Sequence, residues 1–235
     1  MNQYKSQCFF CSPYDKKLHS KIETEIINNE FKKDSIWGFR VYSRRNDTIQ
    51  AVYIEKKTYI EKIIDPFGEI QEFNRVTYNQ IDFQLSIVPP HILLFQPPRE
   101  YRKLLNQLAQ FADYTIAIDI KVVKLLDWVD LIINQGFKCI VKKANINSIN
   151  YDKYTSGKLT LVSGVDLKDK IDKLIPNSSY SLKQLSISFC EKSDIPNVDL
   201  FSDGKIIFTQ PVDLDIFKIL YDSFCKLVNH IKLGA

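Results

Sequence analysis

The residues best suited to chemistry lie in one short stretch, NDTIQAVYIEKK at 46–57. An acid, an apolar strand and then Glu-x-Lys is the pattern with which restriction-type nucleases hold a divalent ion beside a phosphodiester. Asp47 and Glu55 would ligate the metal, and Lys57 would orient the attacking water. Glu55 and Lys57 share a strand face by the period of two, whereas Asp47 falls in a turn, eight residues earlier. The competing reading is a strand that runs out into charged, solvated residues, because Glu-x-Lys recurs by chance.

A second chemistry asks less of the same hairpin. Arg40, Tyr42 and Arg44 alternate with Trp37, Phe39 and Val41, so they are expected on one outer face beside Arg45, Tyr53, Lys56 and Lys57. Cations neutralise phosphates and tyrosines stack on bases, which is what sequence-tolerant nucleic-acid binding needs. Arg99, Arg102 and Lys103 form a second basic cluster, expected in the first turn of a helix, where Pro98 also fits. The alternative for both clusters is an ordinary solvated surface.

Charge placement favours the basic hairpin. The net charge of +4 is modest, but residues 1–64 hold 12 Lys/Arg against 8 Asp/Glu, while residues 65–235 hold 20 of each. The whole excess therefore belongs to the N-terminal quarter, and a local basic field attracts polyanions even on a near-neutral chain.

Other constellations are weak or missing. Cys8 and Cys11 form a C-x-x-C followed by His19, but no further pair completes a four-ligand zinc site, so no metal or other cofactor is assigned. Cys139, Cys190 and Cys225 sit beside Ile and Phe as buried thiols do. His19, His91 and His230 are too far apart to suggest a triad, and His91, before an apolar strand, suits a structural role. No dinucleotide fingerprint or phosphate loop is present.

These residues must be positioned by an α+β fold, an antiparallel N-terminal meander followed by a mixed sheet with covering helices. Apolar spacing predicts a helix over 15–32, and period-two alternation predicts strands across 36–88, turned at RRND and DPFGE. After Pro89-Pro90 the order becomes strand, helix, strand, helix, strand. HILLF, YTIAI and FKCIV supply the strands, Asp119 caps the second helix and Gly136 ends it, which argues for local parallel pairing. Asp203-Gly204 reads as a two-residue hairpin turn, and Asp213 opens a long amphipathic helix. The expected division is 1–88 and 89–235, possible as one continuous domain.

Composition agrees with an ordinary globular protein, with 45% hydrophobic residues, 26% charged and seven glycines. No apolar run reaches the roughly 20 residues of a membrane span, and MNQYKSQCFFC lacks a signal-peptide core. Five scattered cysteines do not make a disulfide framework. The expectation is a cytoplasmic protein without a membrane partner.

From SLKQLSISF through VDLFSDGKIIF to the closing helix, the order of elements over residues 90–230 resembles that of the RdgC-like proteins, whose fold is similar to the kinetochore CENP-N and CENP-L proteins. The resemblance rests on layout, without a diagnostic motif, and it transfers no functional residue. It implies sequence-tolerant DNA binding without catalysis, or service as a scaffold in a DNA-associated assembly. Three functions follow, in order. The first is a non-catalytic nucleic-acid-binding protein, for DNA rather than RNA. The second is an interaction subunit of a bacterial antiviral-defence or genome-maintenance complex, with a protein partner or a homo-oligomeric state. The third is the metal nuclease.

Overall fold

The computed structural model describes residues 3–45, 47–150, 154–175, 179–190, 197–208 and 214–233. The fold is α+β with antiparallel strand pairing, as expected, and its contacts define two compact units. Residues 10–118 form one, and residues 1–9 with 119–235 form the other. The sequence-based break at 88/89 falls inside the first unit, between two strands that pair with each other.

In that unit, β1 (Tyr4–Ser12) contributes its last residues, followed by α1 (Lys16–Asn28), β2 (Trp37–Arg45), β3 (Thr48–Ile64), β4 (Ile70–Ser86), β5 (Ile92–Phe95), α2 (Arg102–Phe111) and the short β6 (Ala117–Asp119). Asp15 caps α1 by accepting a bond from the Leu18 N–H at 2.8 Å. The meander order is β2-β3-β4-β5, antiparallel throughout. Ile49, Ala51, Ile81, Phe83 and Leu85 project from it into a core closed by Ile22 and Ile26 of α1 and by Leu104 and Leu108 of α2. Phe39 meets Tyr53, Phe111 and Phe83 at ring distances of 5.4, 5.8 and 6.0 Å.

The DPFGE turn forms as read. Asp65 Oδ1 accepts the N–H groups of Phe67 and Glu69, each at 2.8 Å, and Gly68 takes the left-handed φ of +88°. The strands it joins are far longer than the composition suggests, 17 residues each and in unbroken register from Thr48↔Ser86 to Ile64↔Ile70.

The other unit contains α3 (Leu125–Asn134), β7 (Cys139–Asn150), β8 (Ser156–Val162), the single-turn α4 (Ile171–Leu174), β9 (Ser179–Phe189), β10 (Val198–Phe201), β11 (Ile206–Phe208) and α5 (Leu214–Leu233). The strand order is β1-β11-β10-β9-β7-β8. Trp128 of α3 is its centre, fully buried, 4.8 Å from the Phe224 ring and donating Nε1–H to Ser223 Oγ at 2.9 Å.

Four expectations are corrected. The strand-helix run after Pro90 is not a parallel unit, because β5 pairs antiparallel with β4 and β7 pairs antiparallel with β8 and β9. Short apolar runs fix burial but not direction, and YTIAI yields only a three-residue strand whose Ala117 is exposed. Asp119 ends β6 and caps no helix; α3 starts at Leu125 with Lys124 as its uncapped N-terminal residue. The Asp203-Gly204 turn is a three-residue loop, since Phe201 N–H bonds Lys205 O and Gly204 adopts φ +76°. Gly136 does follow the end of α3 with φ +91°, and Asp213 lies outside the described residues.

Candidate functional sites

The nuclease set does not assemble. Asp47 precedes the first residue of β3, and Glu55 lies eight positions along the same chain, about 26 Å away at strand rise. One ion cannot bridge that span, and among the described residues no group of three or more His, Cys, Asp or Glu could hold a metal. Glu55 and Lys57 do share a face, but each is held by α2 and the turn before it: Lys103 pairs with Glu55 and Glu100 with Lys57. This pairing with Glu100 raises the Lys57 pKa and lowers that of Glu100. The Glu55 carboxylate keeps one buried oxygen without a protein partner.

The C-x-x-C offers no site either. Cys8 and Cys11 are buried in β1, three residues apart, so their side chains leave opposite faces of the strand. Burial pushes the Cys8 thiol well up, against the thiolate that a metal requires. His91 is structural, its Nδ1 accepting the Cys11 N–H at 2.8 Å with the Tyr14 ring 4.5 Å away. Cys139 is buried as expected, while Cys190 is exposed and Cys225 half-buried.

The basic face keeps Arg40, Arg45 and Lys56 but loses Tyr53 and Lys57, which lie on the other face of β3, and Arg44, which one residue displaces. Val41 lies opposite Ala51 and Ser43 opposite Gln50, so Tyr42 is the extra residue of a β-bulge. Alternation resumes out of phase. Arg40 faces Val52, but Arg44 faces Ile49 on the core side, where it holds Glu23 of α1 through two bonds of 2.6 and 3.2 Å. Arg44 and Arg40 therefore project from opposite faces. Tyr53 is only 3% exposed and belongs to the aromatic core, where burial and Glu55 push its phenol pKa up to about 12. Of the second cluster, Arg102 and Lys103 begin α2 while Arg99 lies in the turn before it. Arg40, Tyr42, Arg45, Arg99 and Arg102 are exposed and Lys56 is half-buried; Arg40 and Arg45, opposite Val52 and Thr48, share the outer face with Lys56, whereas Arg99 and Arg102 belong to α2 and the turn before it.

What composition did not reveal is the outer half of the β3–β4 ribbon. β2 leaves β3 at Glu55, and β5 accompanies β4 only from Asp82 to Leu85. Beyond those points residues 57–64 and 70–77 pair, among the described residues, only with each other, in an arm about 25 Å long. Tyr59, Ile60, Ile63, Ile64, Ile70, Phe73 and Val76 along it and Tyr78 at its root are 44–69% exposed, and Phe67 at the tip is 92% exposed. They occupy both faces, since Ile60, Ile64, Ile70, Val76 and Tyr78 alternate with Tyr59, Ile63 and Phe73. The arm's charges cancel internally, with Lys62 bonded to Glu72 at 2.6 Å and Arg75 bonded to Glu61 at 3.3 Å.

Two recesses lie among the described residues. One of about 370 Å³ lies at the root of the arm between Lys57, Tyr78, Asn79, Arg99 and Glu100. The other, in the second unit, is an open groove of about 930 Å³ lined by Val122, Leu126, Asn147, Leu182, Lys183 and Leu227, among others. No described helix is long and apolar enough to cross a membrane. No protein-family model matches this chain, and no curated protein matches it.

Proposed function

We propose that this chain is a non-catalytic interaction protein that docks a protein partner through the β3–β4 arm. The observation that carries the reading is the exposure of nine large apolar side chains on both faces of one ribbon. At on the order of 100 Å² each they present about 900 Å², comparable with the roughly 800 Å² per partner of a standard protein interface. The area is divided between two faces, and a monomer seldom leaves this much apolar surface wet on one element. Residues 56–78 hold four cations, Lys56, Lys57, Lys62 and Arg75, against Glu61, Asp65, Glu69 and Glu72. A neutral, apolar element suits a protein surface and offers a polyanion nothing.

A photocrosslinker placed at position 67 tests this in the native cells, with position 40 as control. The expected result is a discrete adduct from 67 that is absent from 40 and is lost when Ile63 and Ile70 become Ser. No adduct at 67 overturns the reading.

A second reading, sequence-tolerant DNA binding, is favoured by Arg40, Arg45, Arg99 and Arg102, which are exposed and, among the described residues, take part in no ion pair. The resemblance in element order to the RdgC-like proteins implies the same function, or a scaffold role. Fluorescence anisotropy decides it. Phosphate-driven binding weakens steeply between about 50 and 200 mM salt, and Arg40→Ala with Arg45→Ala should weaken it further; no binding at low salt refutes it.

A further inference from the structure

We infer that the arm's partner is a second copy of this chain, joined edge to edge through β4 about a two-fold axis at Phe73. This rests on the proposal that the arm docks protein. Natural sheets protect exposed edges with proline, bulges, short strands or charged side chains. The β4 edge from Ile70 to Val76 has no proline and no register shift against β3, and its two charged residues, Glu72 and Arg75, are held in ion pairs with Lys62 and Glu61 of β3.

The geometry limits how two such edges meet. An antiparallel pair of identical strands requires a two-fold axis normal to the sheet, so facing residues lie on the same face and their numbers sum to an even value. The backbone direction is set at the base of β4. Ser86 N–H bonds His91 O on the β5 side at 2.8 Å, whereas Ile87 N–H bonds Asp47 O on the β3 side at 3.0 Å. With no bulge between, even-numbered residues present their backbone groups to the free edge: Ile70, Glu72, Asn74 and Val76.

Charge then selects the centre. An axis at Glu72 or at Arg75 sets like charges directly opposite, which destabilises a strand pair. An axis at Asn74 sets Glu72 against Val76. An axis at Phe73 gives hydrogen-bonded pairs between Glu72 and the partner's Asn74 and between Ile70 and the partner's Val76. It also places Gln71 beside the partner's Arg75 and the two Phe73 rings together, in the non-hydrogen-bonded position where side chains approach most closely. Apolar residues then face apolar residues and no like charges meet. The arms' internal ion pairs leave no net repulsion between copies.

Sedimentation equilibrium at about 20 µM, where micromolar pairing is populated, is expected to give twice the 27.4 kDa chain mass. Phe73→Glu brings two carboxylates together and should return the chain to monomer; Phe73 is 49% exposed, so the fold survives the change, which circular dichroism checks. In a Cys190→Ser background, Phe73→Cys should form an intermolecular disulfide on mild oxidation, since the facing Cβ atoms lie near disulfide reach, and Glu61→Cys on the far strand should not. A wild-type monomer, or a dimer unaffected by Phe73→Glu, overturns the inference. A monomer whose position-67 crosslinker still captures a protein of another mass overturns self-pairing alone. A monomer with no adduct removes arm docking as well.

Discussion

Arg44→Ala separates a structural arginine from a surface one. Arg44 donates to both oxygens of Glu23, whose side chain is 10% exposed, while the Arg44 side chain itself is 62% exposed. Hydrogen bonds to charged groups contribute about 1.5–3 kcal/mol, and solvent screening at the arginine places this pair at the low end, about 1–2 kcal/mol. For a chain of this length that corresponds to a melting temperature lower by about 2–8 °C. Arg40 has no such bond and faces outward, so Arg40→Ala should stay within about 0.5 kcal/mol of wild type. Hydrogen exchange at the α1 amides reads this unit without averaging over the other. Adding Glu23→Gln to Arg44→Ala should recover part of the loss, because it removes the stranded carboxylate. Equal effects of Arg40→Ala and Arg44→Ala would refute the bulge-based assignment, since without the phase change both side chains share one face.

Three further outcomes are expected. Gly38→Ala would put a Cβ 2.7 Å from Phe31 Cα and 3.0 Å from Asn29 O, both backbone, beside the Phe31–Phe39 and Phe39–Asn29 bonds of 2.8 Å; overpacking of about 1–3 kcal/mol plus weakened bonds should appear in urea unfolding, and a neutral result would contradict that close approach. Burial lowers the His19 pKa from 6.5 despite Glu23 and Asp47, so below about pH 6.5 the unfolded chain binds a proton that the folded chain resists and stability falls on acidification; His19→Gln should flatten the stability difference between about pH 7.5 and 5.5, and an unchanged slope would discount His19. Magnesium should leave the melting temperature unchanged because Asp47 and Glu55 cannot share an ion; a stabilisation abolished by Glu55→Gln would restore the metal reading.

Legibility followed the range of the interaction. Strict alternation in IDFQLSIV and IWGFRV was enough to place β4 and β2, since one wet face imposes the period directly. The bulge at Tyr42 has no mark in composition; Tyr and Ser continue the alternation on paper, and only the pairing with Ala51 and Gln50 reveals the slip. Tyr53 illustrates the same limit. Its neighbours Val52 and Ile54 are also buried, so both faces of β3 are covered there and alternation no longer separates inside from outside. Lys57 and Lys103 counted as free cations until the fold set Glu100 and Glu55 against them. A signal for the arm was available in TYIEKII and IQEFNRVTY, two alternating runs flanking a Pro/Gly turn. What sequence could not show is that none of the described helices covers them.

The arm's stability connects its exposure to its use. A two-stranded ribbon alone is marginal in water. Here the base is secured, because Ile49, Ala51 and Ile54 face Leu85, Phe83 and Gln80 inside a multi-stranded sheet. Past Lys57 the register is supported by cross-strand contacts only: Lys62 with Glu72, Arg75 with Glu61, and Arg75 over the Tyr59 ring at 5.9 Å. Exposed pairs of this kind contribute about 1 kcal/mol or less each. Amides 58–64 and 70–76 should therefore exchange much faster than those of 49–54 in the isolated chain, and slow when a partner covers the edge. Protection that is uniform from base to tip in a verified monomer would mean that the ribbon holds itself, and it would remove the energetic reason for a partner.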